Sequence, residues 1–330
     1  MNRDSAVPAP DARAAADWKH LYTNAQAWTP LLGEILRRER LGALDSVEVG
    51  LPGSNAVFLV NRRLVVKIQY PLSLDDLPRE LEAHRLLAAC PEVGAPRVLA
   101  AGVVETQLPW HYLVQQRLPG HALVDVRSRV PADDLRSVAD RLAEMVAALH
   151  SVPVPTSGPL AGDRPQWLAF LEAQVSEAPA RHAASLAHAP HLLAELPAYL
   201  AGAAPLAPPD FRPVILHCDL TADHVLVAER DGRWEVTGLL DLGDVMVGHA
   251  DYDWIALHLD CFAAEAALTR RFLGAYGHAV LDDEFPRRLT AYSLLHRFAD
   301  AGFVLEAAGG GPPPASLLSL EQRLWGPILD

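Results

Sequence analysis

The chain has few cysteines, fewer basic than acidic side chains, and no long apolar run. Its 330 residues include three scattered cysteines and no Cys-x-x-Cys pair, which argues against a disulfide framework or a structural zinc site. The 28 lysines and arginines against 41 aspartates and glutamates give a net charge of −13, which argues against nucleic-acid and anionic-membrane partners. No run of about eighteen uncharged apolar residues occurs, and residues 1–20 lack a basic segment followed by an apolar one, so we expect a cytoplasmic protein.

The apolar residues that are present suffice for a large core in two parts. Half of the residues are hydrophobic, and the length exceeds the ~100–200 residues of a typical domain. A Pro/Ala-rich tail over residues 1–14 precedes a predicted helix and a group of strands that ends near residue 116. The remainder is mainly helical, starting with apolar residues three or four apart between Leu135 and Leu149. The sequence therefore predicts an α+β protein with domains at residues 1–116 and 117–330.

Two short acidic segments carry the clearest chemical signal. The first, Leu216–His224, contains His217-x-Asp219 after an apolar strand, and the second, Leu240–Asp244, begins sixteen residues after His224 and contains Asp241 at another strand end. Phosphoryl transfer needs a base for the attacking hydroxyl and a cation over the phosphate oxygens. Asp219 suits the first task, and Asp241 is a hard oxygen ligand suited to Mg²⁺. Either segment alone is equally compatible with an ordinary strand-end turn.

The first part of the chain contains matching nucleotide signals. The residues Gly53-Ser54-Asn55 form a turn between two apolar segments and could present backbone N–H groups to phosphate, although they lack the P-loop pattern and also suit an ordinary hairpin. Lys67 interrupts an apolar strand, which indicates a functional cation or a surface lysine on an edge strand. Glu80, on the following predicted helix, could pair with Lys67 and hold its ammonium over the α- and β-phosphates.

These segments, together with the connector Tyr112–Gly120, resemble the aminoglycoside phosphotransferase family over roughly residues 18–327. The resemblance implies a two-lobed, protein-kinase-like fold, with a small lobe of antiparallel sheet plus one helix and a large, mainly helical lobe. It implies Asp219 and His217 as catalytic residues, and Mg²⁺ bound by Asp241. It also implies ATP, or alternatively GTP, held by Lys67, Glu80, the Gly53-Ser54-Asn55 turn and the connector residues Gln115, Gln116, Arg117 and Leu118.

Further segments are similar to one branch of that family, which phosphorylates the 7''-hydroxyl of hygromycin B. The segments that carry this second resemblance are Val236–Gly238, Gly243–Gly248, Leu257–Phe262, Leu295–Phe298 and Leu324–Pro327. The resemblance implies a role in antibiotic resistance and a cationic small-molecule substrate, and we expect a monomer or a weak dimer.

His224 departs from the family pattern, which usually has an asparagine five residues after the catalytic aspartate. An imidazole nitrogen is a softer donor than an amide oxygen and suits transition metals better than Mg²⁺. His224 could bind the metal, could orient Asp219, or could leave metal binding to Asp241 and the phosphates.

Acidic residues late in the chain are the candidates for binding an amino sugar. A helix predicted over residues 252–262 places Asp253 and Asp260 two turns apart on one face, and Asp300 follows later. Each of the three, taken singly, also suits a solvated surface position. His150, at the end of the apolar stripe, suits a packed or capping histidine better than a ligand.

The function predicted from these observations is ATP-dependent transfer of a γ-phosphoryl group to a hydroxyl of an aminoglycoside-type molecule, with hygromycin B as lead candidate. The alternatives are a kinase of another small hydroxylated metabolite or a macrolide, and a nucleotide-binding pseudokinase. A metal-dependent hydrolase that uses His217, Asp219, His224 and Asp241 leaves Lys67 and Glu80 without a role.

Overall fold

The computed structural model describes residues 21–50, 53–70, 76–202, 206–277 and 282–329, together with residues 8, 10 and 18. They form two compact units. The first contains the described residues up to His84 and the segment Ala95–Pro119, and the second contains Arg85–Gly94 and the described residues from Gly120 onward. The sequence predicts one boundary at residue 116, whereas the structure ends the first unit at Pro119 and assigns residues 85–94 to the second. Most of the predicted tail lies outside the described residues.

The first unit is a five-stranded antiparallel sheet with a helix before it. The helix α1 is Ala25–Arg38, and its start is capped by Asn24, whose side chain accepts a hydrogen bond from the Ala27 amide. The strands, in the spatial order β1-β2-β3-β5-β4, are β1 Val47–Val49, β2 Ala56–Val60, β3 Leu64–Ile68, β4 Val98–Glu105 and β5 Pro109–Gln116. Helix α2, Leu77–Leu87, follows β3 in the chain.

The core of this unit forms between α1 and one face of the sheet. Alternate residues of β2 are fully buried, as expected for a strand with one face on a core. Trp28 of α1 packs against Phe58 of β2 and Trp110 of β5, with ring centroids 5.7 and 5.0 Å apart. This packing holds β3, and with it Lys67, between two strands.

The second unit is mainly helical. Its helices are α3 Leu123–Val126, α4 Ala132–His150, α5 Arg164–His182, α6 Pro190–Gly202, α7 Trp254–Ala256, α8 Ala266–Tyr276, α9 Phe285–Leu295, α10 Ala301–Ala307, α11 Leu317–Leu324 and α12 Gly326–Leu329. Helix α4 buries the apolar stripe predicted from the sequence, including Val138, Leu142 and Leu149. Within the described ranges, no helix combines the length and the apolar character needed to cross a membrane.

Two small antiparallel sheets carry the loops that matter for function. Strand β7, Val214–Leu216, pairs with β10, Met246–Gly248. Strand β8, Val225–Arg230, pairs with β6, His121–Ala122, on one side and with β9, Arg233–Leu239, on the other. Gly120 precedes β6 with a φ of +119°, and a Cβ there would lie 2.6 Å from the Val227 carbonyl oxygen, so this position requires glycine.

The segment predicted as a helix over residues 252–262 is helical, but its type changes along its length. A short α-helix, α7, is followed by a π-helix over Leu257–Cys261. Asp253 and Asp260 both contact the loop over residues 217–222, where they accept backbone N–H groups.

Candidate active site

A buried ion pair forms in the first unit. Lys67 lies on β3, which pairs with β2 on one side and β5 on the other, so its strand is internal. Lys67 Nζ is 2.9 Å from Glu80 Oε1, and the two residues are 6% and 2% exposed. Glu80 Oε2 accepts a hydrogen bond from Gln69 Nε2 at 3.2 Å. The predicted pair between Lys67 and Glu80 is present, and the alternative of a surface lysine on an edge strand is wrong.

The turn between β1 and β2 is open. Gly53 and Ser54 are exposed, and a Cβ added at Gly53 meets no atom within 4 Å among the described residues. The Ser54 carbonyl accepts a hydrogen bond from the Trp18 indole at 2.9 Å, and Asn55 is half-buried. Gly53 and Ser54 are thus accessible, and a role of the turn in phosphate binding stays a prediction.

Most of the connector is committed to hydrogen bonds within its own unit. The Gln115 amide side chain is buried and hydrogen-bonds His84 Nε2 at 2.8 Å. The backbone N–H of Gln116 donates to the Arg97 carbonyl at 2.8 Å, and that of Arg117 donates to the Arg63 carbonyl at 3.0 Å. The N–H groups of Gln116 and Arg117 are therefore engaged within the unit, and the predicted contact of backbone groups near Gln115 to Leu118 with a base stays a prediction. Among the described residues 115–118, Leu118 is the one for whose N–H no hydrogen bond is found.

The loop after β7, residues 217–224, is called the catalytic loop below. Its second residue, Cys218, has a φ of +67°, which is an unfavourable backbone conformation for a residue with a side chain. The carboxylate of Asp253 accepts the N–H of His217 at 2.9 Å and that of Cys218 at 2.7 Å, and Asp260 accepts the N–H of Ala222 at 2.7 Å. Two carboxylates from one segment thus hold both ends of the loop that bears Asp219.

These contacts correct the prediction that Asp253 binds substrate. Asp253 is 1% exposed, and both of its oxygens accept hydrogen bonds from buried groups. Burial opposes its ionisation, but the bond from His150 and the loop amides outweigh it and lower the pKa of Asp253. Asp253 is a positioning residue, because no face of its carboxylate is left for a substrate.

His217 is also a positioning residue. Its Nε2 donates to the Leu240 carbonyl at 2.9 Å, and its Nδ1 accepts the N–H of Asp219 at 3.3 Å. The imidazole is fully buried, and this burial lowers the pKa of His217, so the ring is neutral at physiological pH. The catalytic role predicted for His217 stays a prediction; in the structure its side chain joins the loop to Leu240, directly after β9.

Asp219 lies in a crowded negative environment. Burial raises the pKa of Asp219 to about 6 against the opposing effect of His224, and the carboxylates of Asp244, Asp223 and Asp241 add to the increase. Its side chain keeps 23% of its surface exposed, so solvent and ligands can reach it. An aspartate with this pKa is ionised at neutral pH and is a stronger base than an ordinary surface carboxylate.

Asp241 and His224 complete the cluster. Asp241 has a φ of +58°, and its Oδ1 accepts the N–H of Gly243 at 3.1 Å in a tight turn. His224 Nδ1 lies 2.9 Å from the Asp219 carbonyl oxygen and 3.3 Å from Asp219 Oδ2, and its Nε2 lies 3.9 Å from Asp241 Oδ2. The imidazole therefore stands between the two aspartates that the sequence predicts to act together.

The proton of neutral His224 belongs on Nδ1, because the Asp219 carbonyl beside it can only accept. Its Nε2 lone pair then faces Asp241 and Asp223, whose Oδ2 atoms are 3.9 and 3.8 Å away. Burial opposes protonation of the ring, but the carboxylates of Asp219, Asp241 and Asp223 together raise the pKa of His224. A position at which three carboxylates raise the pKa of one imidazole is chemically suited to a cation.

The donors fit a metal ion only as part of a larger ligand set. Within the described ranges, no group of three or more His, Cys, Asp or Glu side chains is arranged to hold a metal ion. Asp241 and His224 supply two donors, and Mg²⁺ commonly completes its coordination with substrate phosphates and water. A metal held by protein side chains alone, which the hydrolase alternative requires, has no support among these residues.

The two remaining predicted substrate residues differ from each other. Asp260 is half-buried, and burial raises the pKa of its carboxyl, while its Oδ1 is occupied by the Ala222 amide. Asp300 is exposed and caps α10, accepting the N–H groups of Gly302 at 2.7 Å and Phe303 at 3.1 Å. A direct substrate contact by either residue stays a prediction.

The sequence predicts no functional role for Arg297 or Asp244. Arg297 Nη1 is 3.2 Å from Asp244 Oδ1, and the guanidinium lies 5.0 Å from the ring centroid of exposed Phe298. Asp244 is one of the carboxylates that raise the pKa of Asp219. The signal in the sequence was the second aspartate of Leu240–Asp244, but its partner lies more than fifty positions away and has no local pattern.

Comparisons with known proteins agree with this geometry. A family model described as the phosphotransferase enzyme family matches residues 47–290. The aminoglycoside 3'-phosphotransferase of Streptomyces ribosidificus is 28% identical over 221 residues, which cover 62% of this chain and 74% of that protein.

Solved structures share the fold. The GDP complex of a wild-type aminoglycoside 2'-phosphotransferase of type IIIa has a TM-score of 0.66 and 24% identity, covering 92% of this chain and 99% of that one. An aminoglycoside 3'-phosphotransferase of type VIII has a TM-score of 0.53 and 25% identity, covering 80% and 96% of the two chains. The predicted α+β, protein-kinase-like fold is confirmed. Because the family model covers most of the sequence, the chain belongs to the phosphotransferase enzyme family.

Proposed function

We propose that the protein transfers the γ-phosphoryl group of ATP or GTP to a hydroxyl of a cationic, aminoglycoside-type small molecule. The observation that carries this proposal is the cluster of Asp219, His224 and Asp241, in which the two ring nitrogens of His224 lie 3.3 Å from Asp219 Oδ2 and 3.9 Å from Asp241 Oδ2. A loop with a raised-pKa carboxylate beside a second, partly exposed carboxylate suits proton acceptance next to a phosphate-binding cation.

Asp219 has the properties that a base for an alcohol requires. It accepts the proton of the attacking hydroxyl while the γ-phosphoryl group moves to the oxygen, and the rigid loop keeps its carboxylate oriented. Because the transition state is loose, orientation of the acceptor contributes at least as much as basicity. Support for this role comes from the hydrogen bonds of His217, Asp253 and Asp260, which restrain the loop on both sides of Asp219.

The nucleotide is proposed to use residues of the first unit. Lys67, held by Glu80, binds the α- and β-phosphate oxygens, and the open turn at Gly53, Ser54 and Asn55 covers the phosphates. Leu118 provides the backbone donor for the base, because the N–H groups of Gln116 and Arg117 are already engaged. The GDP in one structural neighbour supports testing GTP beside ATP.

Magnesium fits the oxygen donors of the acidic cluster. Asp241 is proposed as its main protein ligand, with His224 Nε2 as a second donor. When bound, the ion supplies neutralisation of charge on the phosphate oxygens. The surplus carboxylate charge around His224 supports a cation at this position.

Hygromycin B is the lead acceptor, supported by the sequence segments described above. The named relatives are 3'- and 2'-phosphotransferases of aminoglycosides, and they support a broader set of amino sugars as competitors. The net charge of −13 favours a polycationic acceptor over an anionic one. Asp300 and the second oxygen of Asp260 are the proposed ammonium contacts.

An acceptor panel tests the proposal. Purified protein, Mg²⁺ and ATP or GTP are incubated with hygromycin B, with aminoglycosides that carry or lack a 3'-hydroxyl, with a macrolide and with choline. Mass spectrometry then detects the gain of one phosphate. Phosphorylation of one or more aminoglycosides, lost in Asp219→Asn, is the expected result.

Other outcomes identify the alternatives. Nucleotide binding without turnover of any acceptor indicates a pseudokinase, and turnover of choline or the macrolide alone indicates another metabolite kinase. If Zn²⁺ or Mn²⁺ alone raises the melting temperature while ATP with Mg²⁺ does not, a hydrolase is favoured.

A further inference from the structure

A chain of buried and partly buried hydrogen bonds leads from the end of α8 to the catalytic loop. The Tyr276 hydroxyl lies 2.8 Å from His150 Nδ1, and His150 Nε2 lies 3.0 Å from Asp253 Oδ2. Asp253 in turn accepts the amides of His217 and Cys218. Tyr276 and His150 are the last residues of α8 and α4, so the chain connects two helix ends to the loop that bears Asp219.

The direction of each hydrogen bond follows from the chemistry of the groups. The lowered pKa of Asp253 makes its carboxylate an acceptor, so the proton of a neutral His150 lies on Nε2. The lone pair on Nδ1 then requires a donor, and Tyr276 is the hydroxyl beside it. Burial, with the carboxylates of Asp253 and Asp251, raises the pKa of Tyr276 to about 12, so this hydroxyl keeps its proton. Tyr276 therefore donates to His150, His150 donates to Asp253, and the loop amides donate to Asp253 from the other side.

The loop needs an anchor of this kind because its backbone is strained. Cys218 is in the left-handed region, which is unfavourable for a residue with a side chain. The successive amides of His217 and Cys218 converge on one carboxylate, an arrangement in which an anion stabilises consecutive N–H groups. If the Asp253 carboxylate turns, the conformation that presents Asp219 loses its support.

Aromatic packing holds the rings of the chain independently of the hydroxyl. The Trp254 ring lies 4.7 Å from that of Tyr276 and 5.7 Å from that of His150, measured between centroids. Phe272 stacks on Tyr276 at 6.1 Å. Removal of the Tyr276 oxygen alone therefore leaves the ring in place and isolates the effect of its hydrogen bond.

We propose that Tyr276 and His150 are positioning residues that act on Asp219 through Asp253. The tyrosine hydroxyl selects the His150 tautomer that donates to Asp253, and the oriented carboxylate maintains the strained start of the catalytic loop. The inference rests on the proposed function only in treating Asp219 as the base.

The test compares Tyr276→Phe with Tyr199→Phe in the full-length protein. Tyr199 is a control on other helices, because its hydroxyl also makes a partly buried hydrogen bond, to Glu321 at 2.8 Å. Tyr276→Phe is expected to lower kcat about two- to tenfold, the range for one lost hydrogen bond, with KM unchanged. Hydrogen exchange measured by NMR should accelerate at the amides of residues 217 and 218, and Tyr199→Phe should change neither quantity.

A double-mutant cycle examines the order of the chain. The amide nitrogen of His150→Gln can still donate to Asp253, but its side chain offers no ring nitrogen to the Tyr276 hydroxyl. In that background Tyr276→Phe should have no further effect on kcat or on exchange. Full additivity of the two substitutions, or unchanged exchange at residues 217 and 218 in Tyr276→Phe, overturns the inference. Faster exchange in a protein that phosphorylates no acceptor supports the positioning chain and rejects the proposed function instead.

Discussion

The ion pair of the first unit and the acidic cluster of the second differ in how their charges are balanced. Lys67 and Glu80 are buried together, and the second oxygen of Glu80 also has a donor. Asp219, Asp241 and Asp223 are partly exposed and lie beside the ring nitrogens of His224, and Asp244 pairs with Arg297. The first region is a buried pair of opposite charges, whereas in the second several carboxylates lie close enough together to raise the pKa of Asp219.

The two regions therefore differ in whether like charges lie close together. In a buried ion pair, loss of either partner leaves the other charge uncompensated in an environment of low dielectric constant. The pair is therefore expected to be formed before a ligand binds. Carboxylates that raise the pKa of Asp219 destabilise one another, and a cation or proton relieves that repulsion. Substitution of Lys67 should therefore lower stability strongly, whereas substitution of Asp219 should lower activity and leave stability unchanged.

Asp219→Asn should have the largest effect on activity. Removal of the proposed base is expected to lower kcat about 10²- to 10⁴-fold. The free energy of unfolding, measured with urea, should not decrease, because the substitution removes one charge from a crowded set. Asp231→Asn, the same change in the exposed turn between β8 and β9, should preserve both quantities. Near-normal phosphorylation by the Asp219 variant contradicts the assignment.

Lys67→Ala should have the largest effect on stability. It leaves Glu80 buried without its cation, for which the expected loss in the free energy of unfolding is about 3–5 kcal/mol. The double substitution Lys67→Met with Glu80→Gln should recover most of this loss but should not recover nucleotide binding. Arg37→Ala breaks a pair in which Arg37 is 71% exposed, and urea unfolding should be almost unchanged. A small loss for Lys67→Ala shows that the pair is not needed for folding.

His224→Asn should change metal preference more than stability. An imidazole nitrogen favours Mn²⁺ over Mg²⁺ relative to an amide oxygen. We expect the ratio of the Mn²⁺ to the Mg²⁺ activation constant to shift about tenfold, which corresponds to about 1.4 kcal/mol. His188→Asn, at an exposed site, serves as the control. An unchanged ratio assigns His224 to the orientation of Asp219 alone.

Substitution of Asp134 should have the smallest effect on stability, and this effect should depend on pH. It is a satisfied carboxylate that accepts the Trp234 amide at 3.0 Å and Arg233 Nε at 2.6 Å. The Trp234 amide, despite opposing desolvation and with help from Arg233, lowers the pKa of Asp134 in the folded state. A group with a lowered folded pKa stabilises the fold above its unfolded pKa, about 4, and loses that contribution as the pH falls.

Melting temperatures of the wild type and Asp134→Asn should accordingly differ at pH 7 and converge as the pH falls below about 4. Asp231→Asn should track the wild type at every pH. A difference that is constant with pH indicates that Asp134 contributes through shape and neutral hydrogen bonding.

Local patterns in the sequence sufficed to predict the main helices and strands and the acidic residues at strand ends. The period of apolar residues predicted α4 and the strands around Lys67, and the ion pair with Glu80 followed from a cation inside an apolar strand. Burial of charge is rare without a partner, so the pairing could be predicted over a short separation. The kinase-like fold followed from the resemblance of several such segments together.

Several site residues have contacts that no local pattern contains. The Asp253 carboxylate and the His217 ring both accept backbone N–H groups of the catalytic loop. The backbone N–H groups of Gln116 and Arg117 donate to carbonyls of distant segments. Asp260, predicted to share a helical face with Asp253, likewise accepts a loop amide, that of Ala222.

The sequence alone determined the kinds of residue available for chemistry: two strand-end aspartates, a lysine in an apolar strand, and a histidine in place of the usual asparagine. The tertiary structure decided which of the acids are ligands for the protein's own backbone and which keep surface for a substrate. The physical reason is that a shift of a few ångströms decides whether a carboxylate accepts hydrogen bonds from backbone amides or from solvent. Those distances depend on packing between segments that lie far apart in the chain.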